Sequence, residues 1–168
     1  MRLPSALVLL VAASRVTLAG GIGVGDPAPA LSLRDWDGKP VTLASYAGKP
    51  VVVDFWASWC TTCRAALPAL DAVARRQRER GVAVLAVNVD RNRAAADAWL
   101  AEHLADRTVT LLSDPEGASL AAFGANGMPA VYVIDAKGIV RFSESGYVPD
   151  RVGAVERAVD ALSSSDPR

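Results

Sequence analysis

The feature that most constrains this chain is the run Val51-Val52-Val53-Asp54-Phe55-Trp56, which leads into Ala57-Ser58-Trp59-Cys60-Thr61-Thr62-Cys63-Arg64. A nearly continuous apolar run suits a strand buried on both faces of a parallel sheet. From Cys60 the pattern changes: Ala66/Leu67, Leu70, Val73/Ala74 and Gln77 recur at three-to-four spacing, which predicts a helix. The chain therefore delivers a cysteine from a strand to the N-terminus of a helix. Unpaired backbone N–H groups and the positive end of the dipole stabilise a thiolate there, and the thiolate is the nucleophilic form. The second cysteine lies one turn away, within reach for a disulfide. Gly81 is the expected stop and Pro68 an expected kink. Arg75, Arg76, Arg78 and Arg80 read as a solvated helix end that complements the dipole.

Two cysteines are all the chain has, and both lie in this motif. A disulfide closing so short a loop contributes only about 2 kcal/mol by chain-entropy arithmetic, less than a long-range staple. A purely structural bridge is therefore a weak reading. A zinc or copper half-site is the metal alternative, but zinc wants four ligands. The only histidine, His103, falls on a separate predicted helix. The pair is read as redox-active, with no metal and no cofactor beyond the disulfide itself. A chain of 168 residues supports one domain with a good core. Lys+Arg 18 balance Asp+Glu 18, so charge gives no reason to expect nucleic acid or an anionic membrane as partner.

Residues 1–19 carry an export-signal pattern. Arg2 is a minimal basic region, Leu3 to Ala13 an apolar stretch, and Thr17-Leu18-Ala19 a small-x-small cleavage site. The stretch is short for a transmembrane helix; an uncleaved N-terminal anchor is the alternative. Residues 20–30, rich in Gly and Pro, read as a linker. Leu31-Ser32-Leu33 and Val41-Thr42-Leu43 flank Asp37-Gly38 as a hairpin. Val82 to Val89 is a second buried strand, joined to the first by a right-handed crossover. Asp90 to Asn92 is expected to cap a helix carrying Ala96, Trp99/Leu100 and Leu104. Thr108 to Leu112 is a short strand, and Asp114-Pro115-Glu116 opens a helix running to Phe123-Gly124. Ala130 to Ile134 is a third strong strand, turning through Ala136-Lys137-Gly138 into an edge strand from Ile139 to Phe142. Asp150 caps a last helix with Val152, Val155, Val159 and Leu162 in register. Residues 163–168 should be a loose, disordered tail.

From Gly25 to Leu162 the chain resembles the exported thioredoxin-like proteins of the TlpA/ResA/CcmG group. Four features carry the resemblance: Gly25-Asp26-Pro27-Ala28-Pro29, Gly48-Lys49-Pro50, Trp59-Cys60-x-x-Cys63, and Gly127-Met128-Pro129 before a strand ending Ile134-Asp135. It implies an α/β thioredoxin fold over residues 31–162. Such a fold has a central mixed sheet flanked by helices, here with an N-terminal β-hairpin and a βα insertion between Val82 and Leu112. The resemblance also implies a periplasmic or otherwise extracytoplasmic thiol–disulfide oxidoreductase. Members are commonly reductants of protein disulfides, and several serve cytochrome c maturation. The implied partners are protein dithiols or disulfides and a membrane electron donor of the DsbD/CcdA type, with the protein itself a monomer. Three departures bear on substrate choice and redox poise. Thr61-Thr62 stands where proline-containing pairs are usual, Ala86 where thioredoxins carry a lysine near their buried acid, and Asp54 where many relatives have Asn.

Cys60, at the top of the helix, is expected to attack, and Cys63 to resolve the mixed disulfide. Burial without a cation should raise the pKa of Asp54, which can then exchange a proton with Cys63. The plainer alternative is a hydrogen-bonded buried acid. By resemblance Pro129 is cis and the Met128 backbone pairs with an extended substrate, while Trp59 and the Gly146-Tyr147 loop complete an apolar groove. Taken without the resemblance, Trp59 and Met128 would be core. Trp36, Trp56 and Trp99 read as core, and His103 as a helix surface residue. Two rival functions are a thiol peroxidase and a non-catalytic thioredoxin-like binding module. The opening segment also resembles peroxiredoxins, but Ala57 holds the place of the hydroxyl residue that precedes their reactive cysteine.

Overall fold

The expected buried strand forms as β3 (Val51–Trp56), with every residue out of solvent. In this computed structural model, which describes residues 21–164, β3 lies in the middle of a seven-stranded mixed sheet of order β2-β1-β5-β4-β3-β6-β7. The other strands are β1 (Ser32–Asp35), β2 (Pro40–Thr42), β4 (Ala83–Asn88), β5 (Thr110–Ser113), β6 (Ala130–Ile134) and β7 (Val140–Ser145). The helices are α1 (Thr61–Gln77), α2 (Ala94–His103), α3 (Ala118–Ala122) and α4 (Arg151–Ser164). β3 pairs parallel with β4 and antiparallel with β6, placing Asp54 opposite Ala86 on one side and Val131 on the other. β4 and β5 are also parallel, whereas the β1–β2 hairpin and β7 join antiparallel. The export-signal reading falls on residues outside those described.

Alternation along β3 sorts its side chains. Val52 and Trp56 pack under Cys63, Leu67 and Leu70 of α1 and Val155 and Val159 of α4. Val51, Val53 and Phe55 join the opposite layer with Phe123 and Tyr132. Phe55, Phe123 and Tyr132 meet edge to face, with centroids 4.9 to 6.2 Å apart. Full burial of such a ring contributes about 1.5–3 kcal/mol, so the strand that carries the motif is held rigidly from behind.

Several boundaries differ from expectation for local reasons. β5 starts at Thr110, because the N–H groups of Thr108 and Val109 are taken by the buried Asp71 carboxylate at 2.6 and 2.9 Å. α3 starts at Ala118, since Gly117 adopts a left-handed conformation and the Asp114 carboxylate accepts the N–H groups of Ala118 and Ser119. α4 continues to Ser164, two residues into the expected tail. The segment read as a linker is docked: Gly25 and Ala28 donate to the carbonyls of Val140 and Gly138. The arginines ending α1 are not merely solvated. Arg76 pairs with Glu156 at 2.8 Å, and Arg80, in the short 3-10 turn that follows α1, with Asp160 at 2.5 Å, so both join this end of the helix to α4. Each exposed pair of this kind contributes about 0–1 kcal/mol.

Candidate active site

Cys60 stands at the N-cap of α1. The Cys63 N–H donates to Cys60 Sγ at 3.2 Å, and the Thr62 hydroxyl lies 3.5 Å from the same sulfur. Together with the helix dipole these donors favour negative charge on Cys60 once the disulfide is open. The structure holds the oxidised form, with S–S 2.00 Å and Cα atoms 5.2 Å apart. Cys60 keeps 8% of its surface exposed and Cys63 none. An incoming partner can reach only the first sulfur.

The approach to Cys60 is fixed by a residue expected elsewhere. Asp90 does not cap α2: the N-cap is Arg93, without a side-chain cap bond, and just before it Asn92 accepts the Ala94 N–H at 2.9 Å. The buried Asp90 turns to the motif instead, accepting the Ser58 N–H at 2.8 Å and the Ser58 hydroxyl at 3.0 Å. Its carboxylate also accepts the Asn88 side-chain amide at 2.8 Å. Register explains the substitution of roles. Trp56 lies opposite Asn88 in the parallel β3–β4 pair, so the residues just beyond each strand end are brought level.

Asp54 is 1% exposed, and neither carboxylate oxygen has a hydrogen-bond partner. Burial pushes its pKa up to about 7, an effect the Arg151 guanidinium partly offsets. The sequence predicts an acid without a cation, and the structure supplies one. Ala86 occupies the position directly opposite Asp54 on β4, but the cation comes from the other direction, as the first residue of α4. Arg151 is 5% exposed, sits 3.3 Å from the Glu144 carboxylate of β7, and donates to the Gly146 carbonyl. Neither Arg151 nor Glu144 stood out in the sequence. One signal was available: an arginine opening a helix opposes the dipole and therefore wants a carboxylate nearby.

The Met128–Pro129 peptide is cis. Pro129 is buried, and Met128 packs half-buried against the cluster containing both cysteines. The Gly146 N–H donates to the Pro129 carbonyl at 2.9 Å, with Gly146 at φ +82°, which glycine adopts without strain. The structure thus brings Met128, Pro129 and Gly146 together. Trp59 is 67% exposed and Tyr147 72%; Trp59 is no core residue. Arg64, the residue after Cys63, is half-buried with its Nε out of solvent. Trp56 is core, whereas Trp36 and Trp99 are only partly buried at its margin. His103 is exposed and stacks on Trp99 at 5.0 Å. Among the described residues no group of three or more His, Cys, Asp or Glu is placed to hold a metal ion. Nor is any described helix long and apolar enough to cross a membrane.

Residues 23–162 match the Redoxin family. The thiol:disulfide interchange protein DsbE of Pseudomonas fluorescens biotype C is 35% identical over 136 residues, spanning 80% of this chain and 74% of that protein. The thiol-disulfide oxidoreductase ResA of Geobacillus thermodenitrificans is 30% identical over 145 residues, spanning 80% of each. A solved Chlorobium tepidum structure described as a DsbE superposes with a TM-score of 0.77 at 33% identity, covering 84% of this chain and 98% of its own.

Proposed function

The chain belongs to the Redoxin family, and from that premise we propose that it is an exported thiol–disulfide oxidoreductase that reduces protein disulfides. The observation that carries the reading is the Cys60–Cys63 disulfide at the N-terminus of α1, where Cys60 keeps 8% of its surface exposed and Cys63 none.

In the reduced protein the Cys60 thiolate attacks a substrate disulfide. A bond forms to Cys60 Sγ, and one substrate sulfur leaves as a thiolate. The ionised Asp54 carboxylate then takes the Cys63 proton. Cys63 attacks Cys60 Sγ, closes the intramolecular disulfide and expels the second substrate thiolate. Two electrons pass to the substrate, and the fold returns to the form seen here. Met128 and the cis Pro129 offer an edge of backbone beside the dithiol for an extended substrate. Trp59 and the Gly146-Tyr147 loop add apolar surface. The Met1–Ala19 segment supports export, and a reductant outside the cytoplasm needs a membrane electron donor to recharge it. The resemblance to the TlpA/ResA/CcmG group supports the haem-site disulfide of apocytochrome c as a substrate. The protein acts as a monomer in this reading.

Insulin reduction by the full chain, driven by a small-thiol donor, tests the proposal. Acceleration that is lost in Cys60→Ser is expected. No acceleration would make the protein a binding module, and peroxide consumption in its place would make it a peroxidase.

A further inference from the structure

The acid beneath the dithiol belongs to a row that crosses three strands. Asp54 of β3 lies opposite Val131 of β6, and Val131 opposite Glu144 of β7. Directly paired residues share a sheet face, here the face covered by α1 and α4. Arg151 opens α4 against this row, forms an ion pair with Glu144 and acts electrostatically on Asp54. It also holds the Gly146 carbonyl, while the Gly146 N–H holds the Pro129 carbonyl. Nη1 of Arg151 has no hydrogen-bond partner although buried, and the same is true of both Asp54 oxygens. A guanidinium withdrawn from water at the repelling end of a helix is costly, and Glu144 and Asp54 are the carboxylates that offset it. The sheet neighbours of Asp54, Ala86 and Val131, are neutral. The charged group acting on it is therefore Arg151 from α4, itself paired with Glu144 of β7. From α1, Cys63 packs over the same face of β3, beside Val52 and Trp56.

We propose that Arg151 is a positioning residue for disulfide exchange: set between Glu144 and Asp54, it fixes the pH at which the buried acid can take the Cys63 proton, and it anchors the Gly146 loop beside Pro129. The proposal rests on the exchange reading and on Asp54 as the proton acceptor. Arg151 touches neither sulfur. A cation beside Asp54 favours its ionised form, and Glu144 works against this by engaging the guanidinium.

The test follows the Asp54 carboxyl by carbon-13 NMR titration of the full chain, alongside the pH profile and KM of disulfide reduction. Arg151→Met removes the charge but keeps the stem, and should raise the Asp54 midpoint by about one pH unit or more. Glu144→Gln should lower it. Opposite signs require electrostatic control, since loosened packing would not produce them. Arg151→Lys keeps the charge but loses the fork; its midpoint should stay near wild type while KM for a peptide disulfide rises several-fold. An unmoved midpoint in folded Arg151→Met, or an upward shift in Glu144→Gln, overturns the proton half of the proposal. An unchanged KM in Arg151→Lys overturns the loop half. If Arg151→Met does not fold, the sign of the Glu144→Gln shift decides. A wild-type chain that reduces no disulfide contradicts the exchange reading itself, a result on which the midpoints do not depend.

Discussion

Replacing Asp54 by Asn should make the protein more stable as pH rises, although it removes a group the chemistry uses. In an unfolded chain this carboxyl titrates near 3.8, and in the fold near 7. The sign follows from linkage. The folded state binds the proton more tightly, so the stabilising contribution is complete below the unfolded value and is lost as pH climbs through the folded one. Ionising Asp54 in place costs about 4 kcal/mol in full, and about 3 kcal/mol of this accrues between roughly pH 5 and pH 8.5. Desolvation is the cause, and Arg151 offsets only part of it. Asn keeps the shape and does not titrate. Urea unfolding of the oxidised wild type and Asp54→Asn at both ends of the window should therefore give a stability difference that changes by about 3 kcal/mol in favour of the variant. Comparing the two proteins at each pH cancels every other titrating group. A difference constant within about 0.5 kcal/mol across the window would mean that Asp54 stays ionised in the fold, and the proton-transfer argument would fall with it.

Three further outcomes are expected. In the reduced protein, iodoacetamide should label Cys60 before Cys63, with a Cys60 pKa below the free value of about 8.5; faster labelling of Cys63 would reverse the assigned roles. Asp90→Ala strips the Ser58 N–H and hydroxyl and the Asn88 amide of their acceptor. It should cost about 2–3 kcal/mol in thermal unfolding and move the Cys60 pKa toward the free value, whereas a change in stability alone would leave Asp90 a purely structural residue. Equilibration against glutathione should give a potential of roughly −200 to −270 mV, since Thr61 and Thr62 place hydroxyls but no charge beside the thiolate; a value above about −150 mV would make the protein an oxidant.

Much of this site was legible because its chemistry is local. The apolar run of β3, the change of period at Cys60 and the spacing of the cysteines each depend on neighbours in sequence, and the structure follows them. Asp54 was visible as the one polar residue in an otherwise apolar run. What sequence did not show was which distant groups the sheet would bring alongside. Asp90 looks like a helix cap, since Asp, Arg and Asn precede an Ala-rich stretch. Parallel register with β3 gives its carboxylate a better set of donors at Ser58. Arg151 looks like an ordinary helix residue until α4 lies across β6 and β7. In the same way, the Gly/Pro stretch at Gly25 has the composition of a linker, and only the hydrogen bonds of edge strand β7 reveal it as docked.

The central claim, that Cys60 attacks and Cys63 resolves, is tested most directly by trapping the intermediate. A reduced Cys63→Ser chain mixed with an oxidised substrate protein should accumulate a covalent adduct stable to denaturant and released by a reducing agent. Peptide mapping should place its single mixed disulfide at Cys60. No adduct under conditions where the wild-type chain reduces the same substrate, or an adduct that persists when Cys60 is also replaced, would contradict the account.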